Sequence, residues 1–458
     1  MRILTRLMHQ RLVGLLNITA NRNLVKDILK VVGGNTGTAA LGFLSTLIII
    51  RSLSPIEFGS YAIASAVMLI ASQLTDLGLN TAYVRFAAGY IKENPEKADR
   101  LTRITLEVKV ALGIIVFVTG LLLSPIMAHY VWNDDSLTVG LRLAFLGSFG
   151  NTLWNYLQAV LQAHQHFGRY SVISITNNLI KFISIIILFY LGMISVESSL
   201  AVMAAVPFFG FFIDRFVIPR NTNNSSKIND RKELIAELVG FGKWVTLATI
   251  ATMIISRLDV LMLGIMSTNE EVAYYDSALR LAMIFPMLTG ALTTVLLPRV
   301  SRLHGTSALR KYAKQSLFAT LLISIPLLIG LLIAGPIITI FFGQEYGPAI
   351  LPFQLILGAF IISTVTNPLN LIFYNLGQTK LLALMNTVQL FINIGLNIIF
   401  IPKFGATGAA YSALSLRITA AIYIFGLLPV LLRKKSIDEI DDQLKSNPPK
   451  KHTSSNSI

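Results

Sequence analysis

The stretch from Ser256 to Ala282, SRLDVLMLGIMSTNEEVAYYDSALRLA, places Arg257 and Asp259 in an apolar run that ends in a short polar turn. Charged side chains are costly inside a membrane helix and usually serve a function there. The turn Glu271-Val-Ala-Tyr-Tyr275 repeats an earlier one, Glu57-Phe-Gly-Ser-Tyr61, which also follows one apolar segment and begins another. This repetition predicts two halves built on one plan.

Composition restricts the class of protein. The 458 residues are 54% hydrophobic and 13% charged, with a mean hydropathy of +0.66, which is too apolar for a soluble domain. The absence of cysteine excludes a disulfide framework and a thiolate metal site. Residues 1–30 are basic, and the apolar run after them is longer than the core of a signal peptide. The chain is therefore predicted to be a membrane protein that retains its first span.

Twelve apolar runs are long enough to cross the roughly 30 Å of hydrocarbon in a bilayer. An even number of spans puts both termini on one side of the membrane. The predicted spans are 31–50, 58–80, 108–128, 139–162, 171–192, 198–214, 244–264, 276–297, 316–341, 350–373, 381–401 and 408–431.

The basic residues fix the orientation of these spans. Of the 38 lysines and arginines, 30 fall in segments on the side of the N-terminus, whereas the opposite side has only Arg51 and Lys403. Cytoplasmic loops retain such an excess, so both termini are predicted to be cytoplasmic. The same placement explains the net charge of +15 without any binding of nucleic acid.

The longest cytoplasmic connection divides the spans into two sets of six. Leu146-Gly-Ser-Phe149 and Leu357-Gly-Ala-Phe360 give a second echo between the halves. Because each half has an even number of spans, both halves have the same topology. The predicted parts are a cytoplasmic N-terminal segment (1–30), an N-terminal six-helix lobe (31–214), a cytoplasmic linker (215–243), a C-terminal six-helix lobe (244–432) and a disordered cytoplasmic tail (433–458).

Catalytic motifs are missing from the sequence. It has neither a glycine-rich phosphate loop nor an H-E-x-x-H metal motif. His164 and His166 lie at the cytoplasmic end of span four, and we interpret them as interfacial loop residues rather than a metal pair. No enzymatic activity, cofactor or metal is predicted.

Two spans carry polar residues at helical spacing. Span four has Asn151, Asn155, Gln158 and Gln162, and span eleven has Asn386, Asn393 and Asn397. Such stripes either line a polar lumen or bond neighbouring helices. For span four the two interpretations stay even, and for span eleven helix-to-helix hydrogen bonding is favoured. In span one, Gly33-Gly-Asn-Thr-Gly37 predicts close packing of another helix.

Charges inside the spans are rarer. Lys109 and Arg142 lie near span ends and are expected to reach the interface. Asp76 could neutralise the charge of Arg85 if its helix continues that far. Asp259 could form a salt bridge with a base in span eight or seven. The four bases farthest from span ends are Arg257, Arg280, Lys181 and Arg417.

Salt bridges inside the bundle would account for any one of these charges, but not for the excess of bases over acids within the spans. A lumen with that excess attracts anions, and guanidinium groups match the oxygens of phosphate in particular. The sequence therefore predicts a cationic lumen that receives a phosphate-bearing compound.

Four motifs in order resemble the polysaccharide biosynthesis flippases of the multidrug/oligosaccharidyl-lipid/polysaccharide (MOP) exporter superfamily, and the likeness covers nearly the whole chain. These motifs are Arg51-Ser-Leu-Ser-Pro-Ile-Glu-Phe-Gly-Ser-Tyr61, Asp76-Leu-Gly-Leu79 followed by Arg85, Ser256-Arg-Leu-Asp-Val-Leu-Met-Leu-Gly264, and Ile401-Pro-Lys-Phe-Gly-Ala-Thr-Gly-Ala-Ala410.

The resemblance implies an all-α membrane protein of the MATE type, with two pseudo-symmetric six-helix lobes around a V-shaped cavity. It implies that the protein moves lipid-linked oligosaccharide, carried on undecaprenyl pyrophosphate, across the bacterial inner membrane by alternating access, for O-antigen or exopolysaccharide. In such relatives spans one, two, seven and eight line a cationic cavity, which carries over to Arg257 and Arg280 and less directly to Arg85. Asp259 is the candidate acid for coupling to H⁺ or Na⁺, and a polysaccharide polymerase is a candidate partner besides membrane lipid.

Two other functions stay open. A cation-coupled multidrug antiporter of the same superfamily would need an intramembrane acid, and Asp259 could be that acid. A membrane polysaccharide polymerase or ligase would need a large external loop, whereas every loop on the acidic side is short.

Overall fold

The computed structural model describes residues 22–76, 78–217, 231, 234–236, 238, 257–285, 300, 303 and 305–446. Within these ranges the chain forms helices and no strands, as the apolar periodicity predicts. It divides into two compact units, Met1–Arg257 and Leu258–Ile458. The division at a 215–243 linker between two six-span lobes stays a prediction.

The N-terminal unit is a bundle of long helices. In chain order they are α1 (Arg22–Ser52), α2 (Pro55–Leu74), α3 (Leu79–Glu93), α4 (Pro95–Tyr130), α5 (Leu137–Ala163), α6 (Phe167–Tyr190) and α7 (Val196–Val217). α5 is central and packs against α2, α4 and α7, whereas α1 packs along α6. A side-chain carbon added at Gly34 would lie 2.6 Å from Cβ of Ser171 on α6. The small residues of span one therefore do permit close packing.

The C-terminal unit contains the helix that carries the opening stretch. Its elements are α8 (257–266 in the described part), α9 (Asn269–Ala282), α10 (Thr306–Ile323), α11 (Ile325–Leu332), α12 (Ala334–Phe342), a 3₁₀ helix (Gln344–Ala349), α13 (Ile350–Asn375) and α14 (Thr379–Ser446). α14 bends at Gly405, and its two arms fold around α13. A core of buried Leu309, Ile372, Phe373 and Ile424 joins α10, α13 and α14.

Among the residues that the structure describes, seven helices are long and apolar enough to cross a membrane, and Val196–Phe212 is a shorter apolar helix. Large apolar side chains face outward, as lipid contact requires; Leu122 on α4, for example, is 68% exposed. Predicted spans seven (244–264) and eight (276–297) lie partly outside the described residues. The count of twelve therefore stays a prediction, while the all-helical membrane architecture is confirmed.

The two repeated turns have matching geometry. Ser54 caps α2 and forms a capping box with Glu57, and Thr268 caps α9 by accepting the N–H of Glu271. In each case the orphan N–H groups of a helix start are satisfied within the turn. The tyrosine four residues after each glutamate is buried.

Residues near the predicted linker and tail are ordered into helix. Leu234 and Leu238 are buried against Tyr83 and Tyr156 of the N-terminal unit, so this part of the predicted linker packs on α3 and α5. α14 continues to Ser446, past Leu432, where the composition predicted disorder. The helix-forming residues of this segment favour the extension.

Candidate functional site

The buried carboxylate of Asp259 is the centre of a polar cluster in the C-terminal unit. Asp259 lies on α8 and is 8% exposed. The turn capped by Thr268 reverses the chain, so that Tyr275 on α9 faces back toward α8. Its hydroxyl donates to Oδ2 of Asp259 at 2.7 Å. The repeated turn thus delivers a hydrogen-bond donor to a carboxylate sixteen residues earlier.

Two amides of α14 complete the hydrogen bonding of this carboxylate. Asn393 and Asn397 lie one turn apart, and their Nδ2 atoms donate to Oδ1 of Asp259 at 3.0 and 2.7 Å. Asn397 also donates to Oδ1 of Asn393 at 3.4 Å. Three donors satisfy the hydrogen bonding of this carboxylate, which is necessary because a buried polar group without partners is very unfavourable in an apolar interior. The stripe on span eleven therefore bonds helix to helix, as favoured from the sequence.

Arg417 adds a positive charge near this cluster. It lies on the second arm of α14, is half-buried and interacts electrostatically with Asp259 and Tyr275. It does not form a direct ion pair with Asp259, whose close contacts are the three neutral donors. The carboxylate therefore has a cation within electrostatic range but not in contact.

The bend of α14 brings its two arms to this place. Gly405 has φ +53°, in the left-handed region that glycine adopts without strain. The carboxylate of Glu271 accepts the N–H of Ala406 at 2.6 Å, and a side chain on Gly405 would overlap that carboxylate. A side chain on Gly408 would likewise overlap the backbone of Phe400. The motif at 401–410 is thus the hinge between the arm that carries Asn397 and the arm that carries Arg417, and both residues interact with Asp259.

The cluster retains hydrogen-bonding capacity. Oδ1 of Asn397 and Nε2 of Gln389 are buried without a partner in the described part of the chain. Gln389 is 5% exposed and lies one turn before Asn393, whereas Asn386 is exposed. Gln389, rather than Asn386, therefore continues the buried stripe of span eleven. Carboxylate, amide and phenol oxygens are ligands for hard cations, and the carboxylate can also take a proton.

The cationic candidates of the sequence analysis differ in their exposure and surroundings. Arg280 on α9 bonds Asp276, a fully buried acid one turn earlier, and its side chain is 17% exposed. Arg257 and Lys181 are half-buried, whereas Arg85 is exposed on α3 with its guanidinium over Phe86. Arg417 interacts electrostatically with Asp259, and Arg257 precedes Asp259 by two residues on α8.

Asp259 does not pair with a base in span seven or eight, as considered from the sequence. Its direct bonds come from neutral groups, and Arg280 is engaged by Asp276. Asp276 and Gln389 were not identified from the sequence, and Tyr275 was not assigned a role. The i,i+4 spacing of Asp276 and Arg280 could have revealed their pairing, and the repeated turn singled out Tyr275 without indicating its partner.

The N-terminal unit contains a buried ion pair between Lys109 and Asp76. Nζ of Lys109 on α4 is 2.6 Å from Oδ1 of Asp76, and the Lys109 side chain is fully buried. The expectation that Lys109 reaches the interface is therefore wrong, because its helix begins at Pro95 and places it in the bundle. Asp76 lies in the break between α2 and α3 and also accepts the N–H of Asn80 at 3.3 Å. Lys109, not Arg85, is its ion-pair partner.

The polar stripe of span four is half-buried on α5. Gln158 accepts a hydrogen bond from Ser174 of α6 at 3.4 Å, and its Nε2 is buried without a partner in the described residues. Asn151 and Asn155 are half-buried on the same face. One of the three thus bonds a neighbouring helix, and the choice between packing and a polar lumen stays open for the other two.

Comparison with known proteins identifies the kind of protein that carries this site. A putative O-antigen transporter of Shigella flexneri is 25% identical over 385 residues, which are 81% of this chain and 88% of that protein. An inward closed structure of the lipid II flippase MurJ superposes with a TM-score of 0.71 at 15% identity, covering 89% of this chain and 90% of the other.

A second solved structure has the same fold. An inward-facing MATE family multidrug resistance transporter of the MOP superfamily gives a TM-score of 0.73 at 13% identity, covering 86% of this chain and 96% of its own. Residues 48–351 match the family described as polysaccharide biosynthesis protein. The chain has the fold of the MOP transporters, and it belongs to the polysaccharide biosynthesis protein family.

Proposed function

We propose that this protein is a flippase that moves oligosaccharide units linked to undecaprenyl pyrophosphate across the bacterial inner membrane. The observation that carries the proposal is membership of a polysaccharide biosynthesis family combined with a fold shared with a lipid II flippase over 89% of the chain. The Shigella relative is named an O-antigen transporter, which supports the same cargo class. Alternating access of the two units would expose the cargo to one side at a time.

The physical problem is to carry a pyrophosphate and several sugars through about 30 Å of hydrocarbon. A charged group costs many kcal/mol there unless fixed charges and dipoles replace water. We assign the anion-binding role to Arg257, Lys181 and Arg417, and give Arg85 and Arg280 secondary roles. Arg280 is already offset by Asp276, and Arg85 is exposed on α3.

The polar groups of span four have the matching role for the sugars. Asn151, Asn155 and Gln158 offer amide groups on one face of α5, and amides bond sugar hydroxyls without a net charge. Asp76 is assigned to holding Lys109 rather than to cargo, because that carboxylate already receives the lysine ammonium. No bond of the cargo is made or broken, and the protein is not an enzyme.

We assign coupling to H⁺ or Na⁺ to Asp259. Its three neutral donors hold a carboxylate without cancelling its charge, and the hinge at Gly405 places Arg417 within electrostatic range. Binding of a cation or proton would change the balance between Asp259 and Arg417. That change would couple cation binding to the position of the second arm of α14.

The finer cellular placement follows from the charge count. Both termini are proposed to be cytoplasmic, since 30 of 38 basic residues fall on that side. A polysaccharide polymerase is the proposed downstream partner, because repeat units delivered to the outer leaflet must be joined there.

Loss of the protein tests the cargo assignment. Cells without it should accumulate lipid-linked repeat units on the cytoplasmic face, where added periplasmic glycosidase or lectin cannot reach them. Repeat units that are already accessible from the periplasm in such cells would refute the flippase assignment. Membrane levels of unrelated lipid-linked sugars provide the control.

Arg257 tests the anionic character of the pathway. Arg257→Gln should reduce surface polysaccharide at least about tenfold, and Arg257→Lys should keep part of the activity because it retains the charge. Equal amounts of each variant in the membrane are required for the comparison. Full activity of the Gln variant would contradict the cationic pathway.

A cation-coupled drug antiporter is the second candidate function. The observation in its favour is the buried acid Asp259 together with the fold shared with a MATE transporter. Expression of such an antiporter would lower the accumulation of cationic dyes and raise resistance to them, whereas the flippase assignment predicts no change. A polymerase or ligase has less support, because every loop on the acidic side is short.

A further inference from the structure

The N-terminal unit has an apolar groove between α6 and α7 that the proposed transport does not use. Its volume is about 370 Å³, and its lining includes Arg169, Val172, Thr176, Ile180 and Gly210. Residues 169, 172, 176 and 180 share one face of α6. At about 30 Å³ for a group of the size of water or methylene, the groove has room for roughly a dozen such groups. This capacity fits part of one acyl chain and not a long polyprenyl chain.

One end of the groove carries the positive charge of Arg169. Arg169 is exposed in the first turn of α6 and forms no ion pair with any carboxylate in the described ranges. Partial burial and then the charge of Arg169 lower the pKa of the neighbouring His166. The side chains that the structure describes therefore leave the potential at this end positive.

The start of α6 offers further donors beside this charge. The N-cap residue His166 makes no side-chain capping bond, so the first N–H groups of α6, including that of Gly168 in the groove lining, receive no side-chain acceptor. Helix starts bind phosphate through such groups and through the helix dipole. A guanidinium, free N–H groups and a glycine that permits close approach suit one phosphate.

The groove floor contains one hydrogen-bonding group. Asn177 is 7% exposed, lines the groove, and has an Oδ1 atom that lacks a partner among described residues. A side chain on Gly210 would overlap both this oxygen and the ring of Trp154. Trp154 therefore borders the groove and can report on its occupant.

The predicted orientation places this end of α6 at the cytoplasmic surface. We propose that the groove binds an anionic phospholipid of the cytoplasmic leaflet, with its phosphate at Arg169 and the start of α6 and its acyl chain along Val172, Thr176 and Ile180. The site would fix one lipid on the N-terminal unit. The proposal does not depend on the cargo that the protein carries.

The test uses the fluorescence of Trp154 in the full-length protein. Replacing Trp132 and Trp244 with Phe leaves Trp154 as the single tryptophan. The protein is placed in phosphatidylcholine nanodiscs that contain increasing fractions of chain-brominated phosphatidylglycerol or chain-brominated phosphatidylcholine. Phosphatidylglycerol should quench Trp154 at about fivefold lower mole fraction than phosphatidylcholine, the preference expected of one basic residue at an anionic lipid.

Variants separate a bound lipid from ordinary solvation by the bilayer. Arg169→Gln should remove the preference for phosphatidylglycerol, while Arg169→Lys should keep most of it. Thr176→Phe should fill the groove and reduce quenching by both lipids. Lys380→Gln is the control, because Lys380 is an exposed base in the first turn of α14 and does not belong to the unit that contains the groove; this variant should keep the preference for phosphatidylglycerol.

Two results would overturn the proposal. Equal quenching by both brominated lipids in the protein with native Arg169 would mean that no anionic lipid is selected. A preference that persists in Arg169→Gln would place the anionic lipid elsewhere. The thermal unfolding midpoint of each variant shows that the fold is intact, and exposed Arg169 is not expected to change it.

Discussion

The turn at Ser54–Tyr61 in the N-terminal unit and the turn at Thr268–Tyr275 in the C-terminal unit start their helices alike but place their tyrosines against different groups. Tyr61 donates to the sulfur of Met203 at 2.8 Å, whereas Tyr275 donates to the carboxylate of Asp259 at 2.7 Å. The two turns thus share their capping, whereas Tyr275 bonds a buried carboxylate and Tyr61 bonds a thioether sulfur.

Ser45 in the N-terminal unit and Asp259 in the C-terminal unit occupy corresponding positions in the two repeats. Ser45 precedes Tyr61 by the same sixteen residues that separate Asp259 from Tyr275. Ser45 is fully buried and bonds the carbonyl of Leu41 in its own helix at 2.8 Å. A hydroxyl satisfied within one helix needs no partner, but a buried carboxylate requires donors from other helices. The C-terminal unit supplies these donors from α9 and α14.

The glutamates of the two turns also accept hydrogen bonds from different groups. Glu57 closes its own capping box by accepting the N–H of Ser54 at 2.9 Å. Glu271 instead holds Ala406 at the bend of α14. The second copy therefore connects its turn to the hinge that positions Asn397 and Arg417. This comparison supports the proposal that Asp259 in the C-terminal unit couples transport to a cation.

Breaking the buried pair of the N-terminal unit should give the largest change in stability. Lys109→Met leaves Asp76 without its cation and should cost about 3–5 kcal/mol of unfolding free energy. The double variant Asp76→Asn, Lys109→Met should recover most of this loss. Thermal unfolding in detergent measures both. A single variant as stable as the native protein would show that the pair is not formed.

A substitution at the hinge of the C-terminal unit should give the next largest loss of stability. Gly405→Ala combines a left-handed φ with overlap of the Glu271 carboxylate, and we expect a loss of about 2–4 kcal/mol. Gly395→Ala, on the same helix in open space, should be neutral or slightly stabilising. The two unfolding midpoints test this directly. Equal midpoints would contradict the role of the bend.

Substitution of the two tyrosines should give the smallest changes in unfolding free energy, and it compares the two turns most directly. Tyr275→Phe removes a hydrogen bond to a carboxylate and should cost about 1.5–3 kcal/mol. Tyr61→Phe removes a bond to a thioether sulfur, a weak acceptor, and should cost less than about 1 kcal/mol. Unfolding midpoints of the two variants provide the measurement. A larger loss at Tyr61 would reverse the assignment of the charged site to the C-terminal unit.

The sequence predicted the helical membrane fold and the repeated turn because both depend on local apolar length and capping residues. It also singled out Asp259 and the amides of span eleven, since each is unusual in an apolar run. It could not predict that Asn393 and Asn397 would bond Asp259, because their contact depends on how α8 packs against α14. The burial of Lys109 was missed for the same reason, since packing rather than distance from a span end decides it.

The most direct test of this account measures flipping by the purified protein in proteoliposomes that contain its lipid-linked oligosaccharide. Native protein and the Ser45→Ala variant should both show flipping that an imposed H⁺ or Na⁺ gradient accelerates. Asp259→Asn should lose the response to both gradients, with a rate at least about tenfold lower, equal to about 1.4 kcal/mol of barrier. Gradient-driven flipping that persists in Asp259→Asn, or is lost in Ser45→Ala, would contradict the account.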